Sequence, residues 1–280
     1  MPNNRLFITL LLLLAASFHG ISQNNDFIKS YIPFHTNGLT IYQLNADSSA
    51  QEKQNIVVAE YLIEAHHPYK ISIAYSDSIL RKTSSFGEDS KALVAINGGF
   101  FDVEKGGSVA YLESEGKVIS QTRKSKEKWA KTDSLLNGAV IIDTLGNLKI
   151  ERSKSADFYE RSSQEKAVMV TGPILLVDGK VIQLENSDFV KKRHPRSCLC
   201  KTSDQRILFI AIDGRSNAAS GMNLFELQKF LIKSHCKEAI NLDGGGSTTL
   251  WVNDGIEKRI LNHPSDKSGE RPVANIFYIK

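Results

Sequence analysis

The chain has little cysteine, no long apolar run and no marked excess of one charge. Three cysteines in 280 residues rule out a disulfide-dense mini-domain, and an odd number cannot all pair within the chain. They form no Cys-x-x-Cys and no paired Cys/His spacing for zinc. No segment approaches the roughly 18 consecutive apolar residues that a permanent membrane helix needs. Lys and Arg number 35 against 31 Asp and Glu, a net charge of +4 without a basic stripe, so nucleic acid is not an expected partner. A Walker lysine, a GxGxxG fingerprint, an HExxH pair and a GxSxG elbow are all missing. So is any Pro/Gly/Ser-rich linker that would divide the chain. What remains is 41% hydrophobic and 24% charged, a globular chain long enough to bury a sizeable core.

Residues 1–22 read as a secretory signal. Arg5 is the only charge before an apolar run from Leu6 to Ala16, broken only by Thr9, and the small residues Gly20 and Ser22 follow. The expectation is a periplasmic or secreted protein with no stable membrane insertion after cleavage. Cys198 and Cys200 sit two apart in an expected strand, so both point to one face and would struggle to bridge each other; either can reach Cys236.

Turn signals recur between apolar alternations. Glu115-Gly116, Gly146-Asn147, Asp178-Gly179 and Asp254-Gly255 each divide two short apolar stretches, the pattern of antiparallel hairpins whose turns need positive φ. One helix is clear, from Leu224 to about Lys233, with Leu224, Leu227 and Leu231 on one face. Asn223 and Glu226 form a capping box at its start. Continuous apolar runs lie before it (Ile207–Ile212) and after it (Ala239–Leu242), which predicts a parallel strand pair with a helical crossover. The fold class is therefore α+β: a mixed sheet with several hairpins and at least one βαβ unit, in one domain. Residues 23–90 read as its β-rich lead-in and 91–280 as its main body. The charged stretch Arg123–Lys131 reads as a solvated loop or short helix.

Three apolar strands run into glycine-rich polar turns. They lead into Asn97-Gly98-Gly99, Asp213-Gly214-Arg215-Ser216 and Asp243-Gly244-Gly245-Gly246-Ser247-Thr248-Thr249. If the last two strands are parallel neighbours, Asp213 and Asp243 emerge at one edge, where α/β units bind ligands. Gly244, Gly245 and Gly246 can curl so that successive N–H groups form an anion-binding nest, with Ser247 and Thr248 hydroxyls beside it. Arg196 and Arg215 supply forked donors suited to phosphate oxygens. An Asp-Gly after a strand is by itself more often a plain turn, whereas three glycines between Asp and Ser-Thr-Thr are harder to account for that way.

Several segments together resemble the phosphodiester glycosidases: AINGGFFD at 95–102, HPRS at 194–197, FIAIDGRS at 209–216, GMNLFELQKFL at 221–231, AINLDGGGSTTLWV at 239–252, NHPSD at 262–266 and GERPVANIFYI at 269–279. The family often has Arg-Thr-Ala where this chain has Arg196-Ser197-Cys198, a change that keeps the hydroxyl and a small strand residue. The resemblance implies hydrolysis of a sugar 1-phosphodiester, releasing the sugar and a phosphomonoester, with no cofactor and no metal. The partner is then a glycan or sugar-phosphate substrate, of the type of an N-acetylglucosamine 1-phosphodiester. Asp243 or Asp213 would serve the reacting carbon, with Asp243 favoured by the adjoining glycines. Glu270 and Arg271 would fold back over the site, and Asn97, Gly98 and Gly99 would meet sugar hydroxyls or orient a carboxylate. Two rival readings use the same residues: a phosphodiesterase holding a divalent ion on Asp213 and Asp243, and a glycan-binding protein without turnover.

Overall fold

A computed structural model describes residues 34–36, 38–46, 53–62, 70–122 and 135–280. The signal segment 1–22 and the charged stretch 123–131 lie outside these residues. Among the described residues eighteen strands form three sheets, and every strand pairing is antiparallel.

The largest sheet has eight strands. It contains β1 (Phe34–Thr36), β2 (Leu39–Ala46), β3 (Gln54–Leu62), β11 (Ile174–Val177), β12 (Lys180–Val181), β13 (Arg196–Thr202), β14 (Arg206–Ile212) and β15 (Cys236–Asn241). Their order is β1-β2-β3-β14-β13-β15-β11-β12. The second sheet orders β7 (Lys117–Ser120), β6 (Leu112–Ser114), β10 (Glu165–Thr171), β8 (Gly138–Asp143) and β9 (Leu148–Arg152). The third orders β17 (Lys258–Ile260), β16 (Leu250–Asn253), β5 (Val94–Asn97), β18 (Asn275–Ile279) and β4 (Ile71–Tyr75). The described residues also form four short α-helices, α1 (Thr83–Asp89), α2 (Ala156–Arg161), α3 (Asp188–Lys191) and α4 (Leu224–Lys233), and one 3-10 turn at Gly245–Ser247.

All four expected hairpins are present, as β6–β7, β8–β9, β11–β12 and β16–β17. Helix α4 has the expected bounds, and both bonds of the Asn223–Glu226 capping box are made. Leu224, Leu227 and Leu231 are fully buried, each contributing about 1.5–3 kcal/mol. Glu226 also pairs with Arg193.

The parallel pair is corrected. β14 and β15 run in the same direction but are not neighbours, because β13 lies between them, antiparallel to both. The fold is accordingly more β-rich than α+β implies: mostly antiparallel sheet with few helices. The apolar run of β14 has a different cause. Ile207, Phe209 and Ala211 face the core shared by all three sheets, while Leu208, Ile210 and Ile212 face a second core closed by α4. A strand covered on both faces loses its polar alternation whatever its direction.

Cys200 and Cys236 form a disulfide between β13 and β15, with Cα atoms 5.9 Å apart, and Cys198 is a buried free thiol. The described part of the lead-in completes two sheets, β3 against β14 and β4 against β18.

Candidate active site

The antiparallel order brings the start of β13 to the ends of β14 and β15: Arg196 pairs with Ile212, and Cys198 with Asn241. The loops leaving this edge meet the loop after β5. Asn97 is the joint between the two sheets. Its side-chain amide donates to the Asp243 carbonyl at 2.6 Å, while its oxygen accepts from Ser197 Oγ at 2.6 Å and the Thr249 amide at 3.1 Å. It is fully buried, so it holds the Asp243 loop instead of meeting a sugar. Gly98 and Gly99 also pack inward: the Gly98 carbonyl accepts from the Asp243 amide at 3.0 Å, and the Gly99 amide donates to Asn275 Oδ1 at 2.7 Å.

A cavity of about 270 Å³ opens at this junction. One wall is apolar, made by Phe100, Phe101, Val103 and Phe189. The other carries His194, Arg196, Arg215, Asp243 and Arg271, with Gly244–Gly246 between them.

Asp243 is recessed in this wall. Burial pushes its carboxyl up to about 6, although the Ser247 hydroxyl, the Arg271 and Arg215 charges and the Gly244 amide all pull it down. Arg196 is 1% exposed. Its Nε donates to the Met222 carbonyl at 3.0 Å, and its Nη2 to those of Phe189 and Lys192 at 2.7 and 3.0 Å. The guanidinium carbon lies 4.8 Å from the centre of the Phe189 ring. No carboxylate pairs with it among the described residues, and burial with the nearby Arg215 lowers it to about 10. An unpaired buried cation lining a cavity is a site for an anion. Arg271 is held differently, by a two-pronged pair with Asp266 at 2.7 and 3.0 Å. His194 is missing from the sequence-based candidates. It lines the cavity, and burial plus the charges of Arg196, Arg215 and Lys192 depress its pKa, keeping the imidazole neutral at pH 7.

Of the three amides expected to form a nest, that of Gly245 donates to the Pro195 carbonyl at 2.9 Å and that of Gly244 bonds the Asp243 carboxyl. The glycines also permit close approach. A Cβ on Gly246 would lie 2.2 Å from both Arg271 Nη2 and Asp266 Oδ1, and one on Gly245 would lie 3.0 Å from Arg215 Nη2. Two arginines therefore rest on adjacent glycines beside Asp243. Ser247 and Thr248 are buried and do not line the cavity.

Asp213 and Glu270 are placed elsewhere, and neither lines the cavity. The Asp213 carboxylate accepts from Asn55 Nδ2 at 2.5 Å, Asn262 Nδ2 at 3.1 Å, and the amide and Nδ1 of His263, each at 2.9 Å. Asn262 also donates to the Thr248 carbonyl at 3.0 Å, so Asp213 braces the glycine loop from behind. Glu270 accepts from the amide and hydroxyl of Ser84 at 2.7 and 2.6 Å, satisfying the first turn of α1. Among the described residues, no group of three or more His, Cys, Asp or Glu is arranged to hold a metal ion. Asp213, which the divalent-ion reading would use together with Asp243, is engaged by nitrogen donors.

Residues 90–280 match the family model described as phosphodiester glycosidase. The N-acetylglucosamine-1-phosphodiester alpha-N-acetylglucosaminidase of Bos taurus is 26% identical over 186 residues, 64% of this chain and 34% of that protein. An uncharacterized SPbeta prophage-derived protein of Bacillus subtilis, YomE, is 30% identical over 92 residues, 28% of this chain and 14% of that one. This chain thus spans about a third or less of the length of these relatives. The zebrafish N-acetylglucosamine-1-phosphodiester alpha-N-acetylglucosaminidase catalytic domain, in a form auto-inhibited by its pro-peptide, superposes with a TM-score of 0.67 at 20% identity. That superposition covers 92% of this chain and 84% of that one. The zebrafish likeness speaks for the fold, and the family match spans more than half of the sequence: the chain belongs to the phosphodiester glycosidase family.

Proposed function

We propose that the protein hydrolyses the C1–O bond of a sugar 1-phosphodiester, such as an N-acetylglucosamine 1-phosphodiester, releasing free sugar and a phosphomonoester. One observation carries this reading: a single recessed carboxylate, Asp243, shares a cavity with three guanidiniums. The bond breaks with its electron pair on the phosphate oxygen. Such a leaving group needs charge stabilisation more than protonation, and Arg196, Arg215 and Arg271 supply it. The carbon left electron-deficient needs a carboxylate, as nucleophile or as base for water, and Asp243 has that place. In the base route, water oxygen bonds C1 and its proton passes to Asp243. The ionised carboxylate is required, so activity rises with pH through about 6. The apolar wall gives a sugar ring or aglycone a surface to stack on.

We further propose export to the periplasm or medium. The signal-like segment 1–22 supports it, as does a disulfide between Cys200 and Cys236, which an oxidising compartment preserves.

The test is a product assay on an N-acetylglucosamine 1-phosphodiester with chelator present, in heavy-oxygen water. Free sugar carrying the label, lost in Asp243→Asn, is the expected result. Label in the phosphate would overturn C1–O cleavage, and binding without any product would favour a glycan-binding protein.

A further inference from the structure

The cavity's charges suit two states of the same ligand. Arg196 and Arg215 have no carboxylate partner among the described residues, whereas Arg271 is matched by Asp266. That leaves two uncompensated positive charges facing one titratable carboxylate, Asp243. With Asp243 ionised, a monoanionic phosphodiester brings the sum to zero. With Asp243 protonated, the sum is zero only for a dianion. The two states are connected by the reaction proposed above, on which this inference rests: water's proton moves to Asp243 as the phosphate gains its second charge.

We propose that the cavity binds phosphate-type dianions together with a proton on Asp243, so that the phosphomonoester product is a retained, acid-favoured inhibitor.

The geometry supports the coupling. Asp243 lies in one cavity wall with Arg196, Arg215 and Arg271, and desolvation already favours its neutral form. A dianion held on the same guanidiniums adds repulsion to the ionised carboxylate and favours the neutral form further. By linkage the dependence is reciprocal, so a protonated Asp243 tightens the dianion. The other groups facing the site are His194, on the loop before β13, and the Arg271–Asp266 pair on the 262–271 loop. Besides Asp243 and the arginines, His194 is the titratable side chain lining the cavity, so its contribution must be separated.

Sulfate and methanesulfonate make the test clean, because neither changes charge between pH 5 and 8. Titration calorimetry on the wild-type chain is expected to show sulfate weakening at least about tenfold from pH 5 to pH 8, about 1.4 kcal/mol. Methanesulfonate is expected to change less than about threefold. In Asp243→Asn the pH dependence of sulfate should largely vanish, with tight binding retained at pH 8. If that dependence survives in Asp243→Asn, it belongs to His194 and the proposal is overturned. Arg215→Gln, at an exposed side chain, gives a second arm: sulfate should lose at least about tenfold and methanesulfonate distinctly less, and equal losses would sink the charge match. Sugar release is scored separately. Cleavage with pH-independent sulfate binding overturns only the coupling; proton-coupled sulfate binding without cleavage overturns only the reaction.

Discussion

Asp213 and Asp243 begin from the same local sequence, a buried apolar strand followed by Asp-Gly, and leave the same edge of the same sheet. Their surroundings divide them. Asp213 is 3% exposed and meets N–H donors from Asn55, Asn262 and His263. Asp243 opens on a cavity, where burial holds its carboxyl near 6. One carboxylate is held in place by its hydrogen bonds; the other is kept on the verge of protonation. The difference comes from residues about 50 and 158 positions away along the chain, which no local motif encodes.

Asp243→Asn should break the comparison most strongly. It is expected to lower kcat by about 10²–10⁴-fold, since it removes the group that serves the reacting carbon, and to abolish the rise in activity near pH 6. Asp213→Ala should do the opposite: about 3–5 kcal/mol lost in denaturant unfolding, because several buried donors are left without an acceptor. If Asp213→Ala is stable and Asp243→Asn is not, the two roles have been exchanged.

The pH dependence of stability sharpens the contrast. Asp243 has a raised pKa in the folded state, so its contribution is fully present below about pH 4 and is lost as pH rises to about 6. Asp243→Asn removes this loss and should stabilise the fold at pH 7 by about 1–3 kcal/mol, with little difference from wild type at pH 4. Thermal unfolding at the two pH values measures it. The smallest effect belongs to His263→Ala. The imidazole is largely exposed and only its Nδ1 contacts, to Asp213 and Asn55, are lost, so the cost should be about 1 kcal/mol.

Much of the local structure is legible in the sequence. The turns at Glu115-Gly116, Gly146-Asn147, Asp178-Gly179 and Asp254-Gly255 each mark a real hairpin, because positive φ leaves few residue choices; Gly116, Gly146, Gly179 and Gly255 all adopt it. Helix α4 is equally plain from its leucine spacing and capping box. The parallel pairing is not legible, since the apolar run of β14 reports two covered faces and not strand direction. Asp243 is recognisable from its glycines, which also make room for Arg215 and Arg271, a use that local sequence does not spell out. Arg196 can be found as a forked donor, whereas its lack of a counter-charge is visible only in three dimensions. Glu270 reads as a site acid until Ser84, 186 residues earlier, is seen to occupy it. His194 has a signal in the HPRS segment, yet its depressed pKa comes from burial and from the charges of Arg196 and Arg215, which only the folded chain brings around it.

Asn97 carries one more consequence, for the order in which the protein comes together. Its side chain touches Ser197, Asp243 and Thr249, which lie 100, 146 and 152 residues ahead. Such contacts form only after long loops have closed, which places them late in folding. Each sheet can therefore exist before the Asp243 loop has its shape. During refolding, the far-ultraviolet signal of the strands should recover first. The ability to hold an anion should follow only when the two sheets dock through Asn97.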